Sequence, residues 1–197
     1  MSARPGEIRI IAGAWRGRKI EVAAGADIRP TANRAREALF NRLTHGFGDI
    51  GFQLVGATVV DVFAGTGAFG LEALSRGAAH ATFIEQDPAA LKALEATLAK
   101  FDATDRANVV RADGTAPPPA PTPCDLAFLD PPFGKNLGGP TLAALIRRGW
   151  LRSGALVVVE LDSDDSDPEM PGYELIDSRT YGRIRFLFLT AAQSAGT

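Results

Sequence analysis

The 197-residue chain contains one cysteine, Cys124, so it can form no internal disulfide framework, and it has no CxxC pattern with zinc-ligand spacing. Two histidines, His45 and His80, are too few for a multi-histidine metal site, and no metal is expected. No apolar run approaches ~20 residues, so no membrane span is expected. The start, Met1-Ser-Ala-Arg-Pro-Gly, has no apolar stretch behind its charge and does not read as a secretory signal. A reduced, cytoplasmic setting is the expectation. An excess of one charge is also missing: 21 Lys and Arg against 23 Asp and Glu leave a net charge of −2. Taken alone, that balance argues against a nucleic-acid binder.

The distribution of charge argues the other way. Residues 1–42 carry nine Lys and Arg (4, 9, 16, 18, 19, 29, 34, 36, 42) against four acids (7, 21, 27, 37), while the rest carries twelve against nineteen. A basic segment on an acidic body suggests a phosphate-facing arm, although an unevenly charged solvated surface would look the same. With 46% hydrophobic and 22% charged residues, the chain is ordinary for a soluble globular fold. Its length fits one domain with a small appendage.

Residues 7–22 read as two short strands around a Gly-containing turn, with Ile8, Ile10, Ile20 and Val22 alternating with polar neighbours. Asn33 to Leu43 reads as a helix. From Thr58 onward strands alternate with helices: strands Thr58–Phe63, Ala81–Glu85, Asn108–Arg111, Leu126–Leu129 and Ala155–Leu161, with helices at Ala68–Arg76, Pro88–Lys100 and Thr141–Gly149. Continuous apolar strands of this kind predict a mostly parallel sheet covered on both faces. Ala116–Pro123 is a Pro-rich connector, and the acidic stretch Glu160 to Glu169 reads as a solvated loop. Tyr173–Arg179 and Ile184–Thr190 form an antiparallel hairpin. The expectation is a Rossmann-like α/β fold with a seven-stranded sheet, an antiparallel C-terminal hairpin and a small N-terminal β-hairpin extension. Its parts are a basic hairpin and helix at 1–45 facing RNA, a catalytic domain at 46–191 and a disordered tail at 192–197.

Three motifs carry chemistry. Asp61-Val-Phe63-Ala-Gly65-Thr-Gly67-Ala-Phe-Gly70 marks a strand-to-helix turn whose glycines allow close backbone approach to a ligand, with a helix N-terminus behind it. The spacing also fits a dinucleotide fingerprint, which is weak alone, and a turn built only for packing would look alike. Glu85 ends the next strand and can accept from both ribose hydroxyls of a nucleoside cofactor, or serve the start of the following helix. Asp61 would repel a pyrophosphate at this turn and attract the sulfonium and amino group of S-adenosylmethionine, so the sign of the charge favours that cofactor over NAD. Asp130-Pro131-Pro132-Phe133 follows the fourth strand at the same edge. Asp130 and the Pro131 carbonyl can accept from a planar exocyclic amine, and Phe133 offers a stacking face.

With those motifs, the chain resembles the class I S-adenosylmethionine-dependent methyltransferases that act on amino nitrogens. More closely, Arg9-Ile-Ile-Ala-Gly-x-Trp-Arg-Gly-Arg, Arg29-Pro-Thr31, Arg34, Arg36-Glu-Ala-Leu-Phe-Asn and Leu71-Glu-Ala-Leu-Ser-Arg-Gly resemble the RsmD family, from about Arg9 to Leu189. Ala12 departs from the Gly that family often carries. The resemblance implies methylation of the N2 amine of a guanine in bacterial 16S ribosomal RNA, within a small subunit or assembly intermediate; the short chain and modest apolar surface make a monomer the expectation. It also implies that Asp113-Gly114 lies near the adenine, where a turn-forming Asp-Gly is the plain alternative, and that Arg29 and Thr31 close over cofactor and substrate. Arg16, Arg18, Lys19, Arg34 and Arg36 are the candidate RNA contacts. Trp15 reads as a packed aromatic. The alternatives are an adenine-N6 methyltransferase on DNA or RNA, a nicotinamide-dependent oxidoreductase, and, least favoured, a structural ribosome-associated protein.

Overall fold

A computed structural model describes residues 7–22, 30–132 and 134–192, the side chains of 30–32 excepted. Seven strands form one sheet in the order β3-β2-β1-β4-β5-β7-β6. They are β1 (Thr58–Val62), β2 (His80–Glu85), β3 (Ala107–Arg111), β4 (Cys124–Leu129), β5 (Leu151–Asp162), β6 (Tyr173–Tyr181) and β7 (Ile184–Ala191). The first five are parallel to one another, and β7 and β6 return antiparallel as the C-terminal hairpin. The seven-stranded, mostly parallel sheet is thus the one the apolar pattern predicts.

Strand residues alternate between two cores, as the period of two requires. Val59, Phe83, Phe128, Val158 and Phe186 enter the larger one, beneath α1 (Pro30–His45), α2 (Ala68–Ser75) and α3 (Pro88–Lys100). Val60, Ile84, Leu129, Val159 and Leu187 enter the other, beneath α4 (Gly138–Arg147). There the Pro-rich connector takes the place of a crossover helix between β3 and β4. Its prolines have no N–H to satisfy, and the buried Trp150 Nε1 donates to the Pro118 carbonyl at 2.8 Å.

Four expectations change. The N-terminal segment makes only the single bridge Arg9–Lys19 rather than two paired strands. Ile10 N and Ile20 N still donate across the segment to the Arg18 and Ile8 carbonyls, and α2 holds its turn: Glu72, fully buried, accepts from Ile11 N at 2.8 Å, Ala12 N at 3.0 Å and Arg76 Nε at 2.7 Å. Ser75 Oγ donates to the Ala12 carbonyl and accepts from Trp15 N, and a Cβ on Gly13 would lie 1.9 Å from the Ser75 carbonyl oxygen. The acidic stretch is not wholly a solvated loop, because β5 runs through Asp162 and Glu160 is only 8% exposed. Pro168 lies against Gly138 at the start of α4, which begins three residues earlier than predicted because Gly138 and Gly139 leave room there. Finally, β5 begins at Leu151 rather than Ala155, as the bulge at Cys124–Leu126 lets the strand pass Gly154 at φ +75°. Among the described residues no helix is long and apolar enough to cross a membrane. The tail at 193–197 lies outside the described residues.

Candidate active site

The carboxyl ends of β2, β1, β4 and β5 form one edge, where ligands of open parallel sheets bind. Val62 aligns with Ile84 and Leu129, and Leu129 with Val159. One residue further, Phe63 therefore stands between Glu85 and Asp130, and Asp130 stands beside Glu160. By alternation, Asp61, Glu85, Asp130 and Glu160 all face the α1–α2 side of the sheet. Three of these acids were candidates from sequence. Glu160 was not, because the acidic run that follows it masks it in the sequence; its period-two relation to Leu156 and Val158 is the signal that marks it.

The glycine turn is held by its own neighbours. Phe63 takes a positive φ of 60°, rare for a non-glycine residue, with its ring edge over Gly114, where a Cβ would lie 2.7 Å away. Gly67, at φ 71°, is the N-cap of α2, and a Cβ there would meet Leu94 Cδ1 at 2.5 Å. Gly65 at φ 52° has nothing nearer than the Phe63 carbonyl at 3.9 Å, leaving open approach above its backbone.

Glu85 is oriented by main-chain amides: Oε2 accepts from Gly65 N at 2.8 Å, and Oε1 from Gln86 N and Asp87 N at 2.7 and 2.8 Å. The alternative helix-start role belongs to Asp87, which caps α3 by accepting from Ala90 N. Asp61 is 1% exposed. Its Oδ2 accepts from Gly70 N at 2.9 Å, while the buried Oδ1 has no partner among the described residues. Burial first, and then the negative charges of Asp130 and Glu85, push its carboxyl well above the usual range, against the opposing Gly70 hydrogen bond.

Asp113 is exposed and accepts from Thr115 N and Oγ1, which is a turn geometry, while buried Gly114 supports Phe63. Pro131 is buried and Pro132 exposed, and both line a cavity of about 500 Å³ with Glu160, Leu161 and the first residues of α4. Phe133, Arg29 and the side chain of Thr31 lie outside the described residues. Cys124 sits at the opposite end of β4, with burial pushing its thiol up to about 12, so it is no nucleophile for this edge.

The basic candidates divide. Arg16 and Arg34 are exposed. Arg18 lies 4.2 Å from the Phe101 ring centre and donates to the Lys100 carbonyl, and Lys19 pairs with Glu7. Arg36 does not suit an RNA contact as it stands: it is 4% exposed and donates to the Arg9 carbonyl at 2.6 Å and Asn33 Oδ1 at 3.2 Å. Burial lowers its pKa against the opposing charges of Glu72 and Glu160. Two further exposed cations, which no sequence motif marks, stand at the site's edge: Arg111 at the end of β3 and Lys135 just past the proline turn. Trp15 is packed against Phe101 at 5.1 Å between ring centres.

A parallel sheet in this order, closed by an antiparallel hairpin and carrying a glycine turn with acids ending the next strands, defines a class I methyltransferase. Residues 8–190 match the family described as conserved hypothetical protein 95, and the chain belongs to it, the RsmD family of methyltransferases. Ribosomal RNA small subunit methyltransferase D of Escherichia coli K12 is 40% identical over 183 residues, spanning 92% of this chain and 88% of that protein. The protein of the same name from Haemophilus influenzae is 35% identical over 185 residues, spanning 92% of each. The solved structure of Escherichia coli yhhF has a TM-score of 0.81 at 37% identity, over 96% of this chain and all of that one.

Class I enzymes of this kind imply use of S-adenosylmethionine, and the residues fit it. The partnerless Asp61 Oδ1 can accept from an ammonium, the open backbone at Gly65 admits the methionine portion, and Glu85 is held where ribose hydroxyls can donate to it. A pyrophosphate would meet the acids of the same edge.

Proposed function

We propose that this protein methylates the exocyclic N2 amine of a guanine in bacterial 16S ribosomal RNA, using S-adenosylmethionine. The observation that carries the reading is the adjacency of Asp130 and Pro131 to the Asp61–Glu85 cofactor edge, one strand away. The names of the relatives support small-subunit RNA as the substrate.

When bound, S-adenosylmethionine supplies an electrophilic methyl on a positively charged sulfur. Asp61, Gly65, Gly67 and Glu85 hold the cofactor, and Gly114 backs Phe63 beneath it. Asp130 and the Pro131 carbonyl accept the two protons of the guanine amine, aligning the nitrogen with the methyl and favouring charge developing on it. Transfer of that methyl would leave the nitrogen with one proton more than the product amine keeps. The extra proton then leaves, to Asp130 or to water. Phe133 stacks on the extruded base, whose unstacking costs a few kcal/mol. Arg29 and Thr31 close over the pair. Arg16 and Arg34, and Arg18 and Lys19 after exchanging their present partners, neutralise phosphates. In this reading 1–45 faces the RNA, 46–191 performs the chemistry, and the enzyme works as a cytoplasmic monomer on a small subunit or assembly intermediate.

Asp130→Ala tests the assignment. The expected outcome is a fall in kcat of about a hundredfold or more, with the Kd for S-adenosylmethionine within a few fold. Glu85→Ala should do the reverse, weakening cofactor binding first. Equal loss of both quantities in Asp130→Ala would move that carboxylate to the cofactor and overturn its role.

A further inference from the structure

We infer that Glu160 reads the Watson–Crick edge of the target base and selects guanine over purines lacking the N1–H donor. This rests on the methyltransferase reading above and deepens it. The β4–β5 register ends on the pair Leu129–Val159, so Glu160 and Asp130 each stand one residue past it, and by alternation both face the α1–α2 side of the sheet. Its partner across β7 is Phe186, which belongs to the same core. It is 8% exposed and lines, with Pro131 and Pro132, the cavity of about 500 Å³ next to the amine-binding turn. An acid is not needed there to continue β5, whose preceding residues Leu156 to Val159 are all apolar and buried. The Arg36 guanidinium, itself buried in α1, supplies the counter-charge.

The chemistry selects a base. Guanine presents N1–H and N2–H as adjacent donors, and a carboxylate, acceptor-only with roughly four lone-pair sites, can take N1–H while keeping its existing contacts. Adenine and 2-aminopurine offer an acceptor at N1, which a buried carboxylate repels. With N2 held by Asp130 and Pro131, N1 is the next atom along the base edge, as Glu160 is the next acid along the sheet edge.

The test uses the full-length enzyme, S-adenosylmethionine and small subunits whose RNA carries either guanine or 2-aminopurine at the methylated position. 2-Aminopurine keeps the N2 amine and lacks N1–H. The unaltered enzyme should prefer guanine in kcat/KM by at least about tenfold. Glu160→Gln, whose amide can donate to N1, should bring the two rates to within about threefold, while Glu160→Asp restores a preference for guanine. Thermal melting and cofactor affinity identify variants that fold. If Glu160→Gln lowers both substrates by one common factor, Glu160 only holds Arg36 and the assignment is overturned. If the unaltered enzyme labels neither RNA, the underlying reading fails first, and the assignment with it.

Discussion

Asp61 is where charge and burial conflict most directly. Its native carboxyl titrates well above the ordinary 3.8, chiefly because it is buried. The folded chain therefore keeps a proton that the unfolded chain releases, so stability should fall as pH rises from about that ordinary value through the raised native one. Asp61→Asn removes this dependence, and its Tm near neutral pH should exceed that of the unaltered protein. The same change should weaken S-adenosylmethionine, whose cation is stabilised by the ionised carboxylate, and cofactor affinity of the unaltered enzyme should fall as pH drops through the raised value. Calorimetric titration across pH checks both; affinity that ignores pH and the Asn change would remove Asp61 from the cofactor site. This carboxylate was legible in the sequence because it stands four positions before Gly65. Its burial was not, since that depends on α1 and α2 covering the face it points to.

At the scale of elements, the clasp between the N-terminal arm and α2 is the least expected feature. Glu72 has zero exposure and satisfies two main-chain amides of the arm together with Arg76, which is itself 12% exposed at the side chain. Glu72→Ala leaves these donors unpaired, and the loss should be about 3 kcal/mol, read by chemical denaturation, with faster amide exchange across residues 7–22. A loss under about 0.5 kcal/mol, the range of ordinary surface changes, would mean that Ile10 and Ile20 in the core, with the Ser75 hydrogen bonds, hold the arm without Glu72. The motif Leu71-Glu-Ala-Leu-Ser-Arg-Gly was visible in the sequence, but hydrogen bonds spanning sixty residues leave no local periodicity. Strands and helices were legible to within a few residues because their apolar spacing is local. The starts of β5 and α4 were not legible because α4 opens on Gly138 and Gly139, which carry no side-chain pattern, and Leu151 to Gly154 of β5 hold a single apolar side chain.

For the whole molecule, the separation of charge is the feature that bears on RNA. The acids of the strand ends line the proposed cofactor edge, and exposed cations stand at Arg16, Arg34, Arg111 and Lys135. Charge reversal at Arg16 should lower the salt slope of RNA binding by about one unit without changing Tm. Arg36→Glu should instead unfold the chain, because it replaces a buried cation between Glu72 and Glu160 with a third acid. An unchanged slope for Arg16 would leave the arm a structural strap. Net charge concealed this division and segment-by-segment counting recovered it, yet counting could not separate exposed Arg34 from buried Arg36, two residues along the same helix.

The most direct test of the central claim supplies methyl-labelled S-adenosylmethionine together with unmodified 16S RNA, small subunits or DNA, followed by digestion and identification of the labelled nucleoside. The account predicts label in N2-methylguanosine, from RNA or from the particle, and none from DNA. Label in methyladenine, or no label with no cofactor binding, would contradict it.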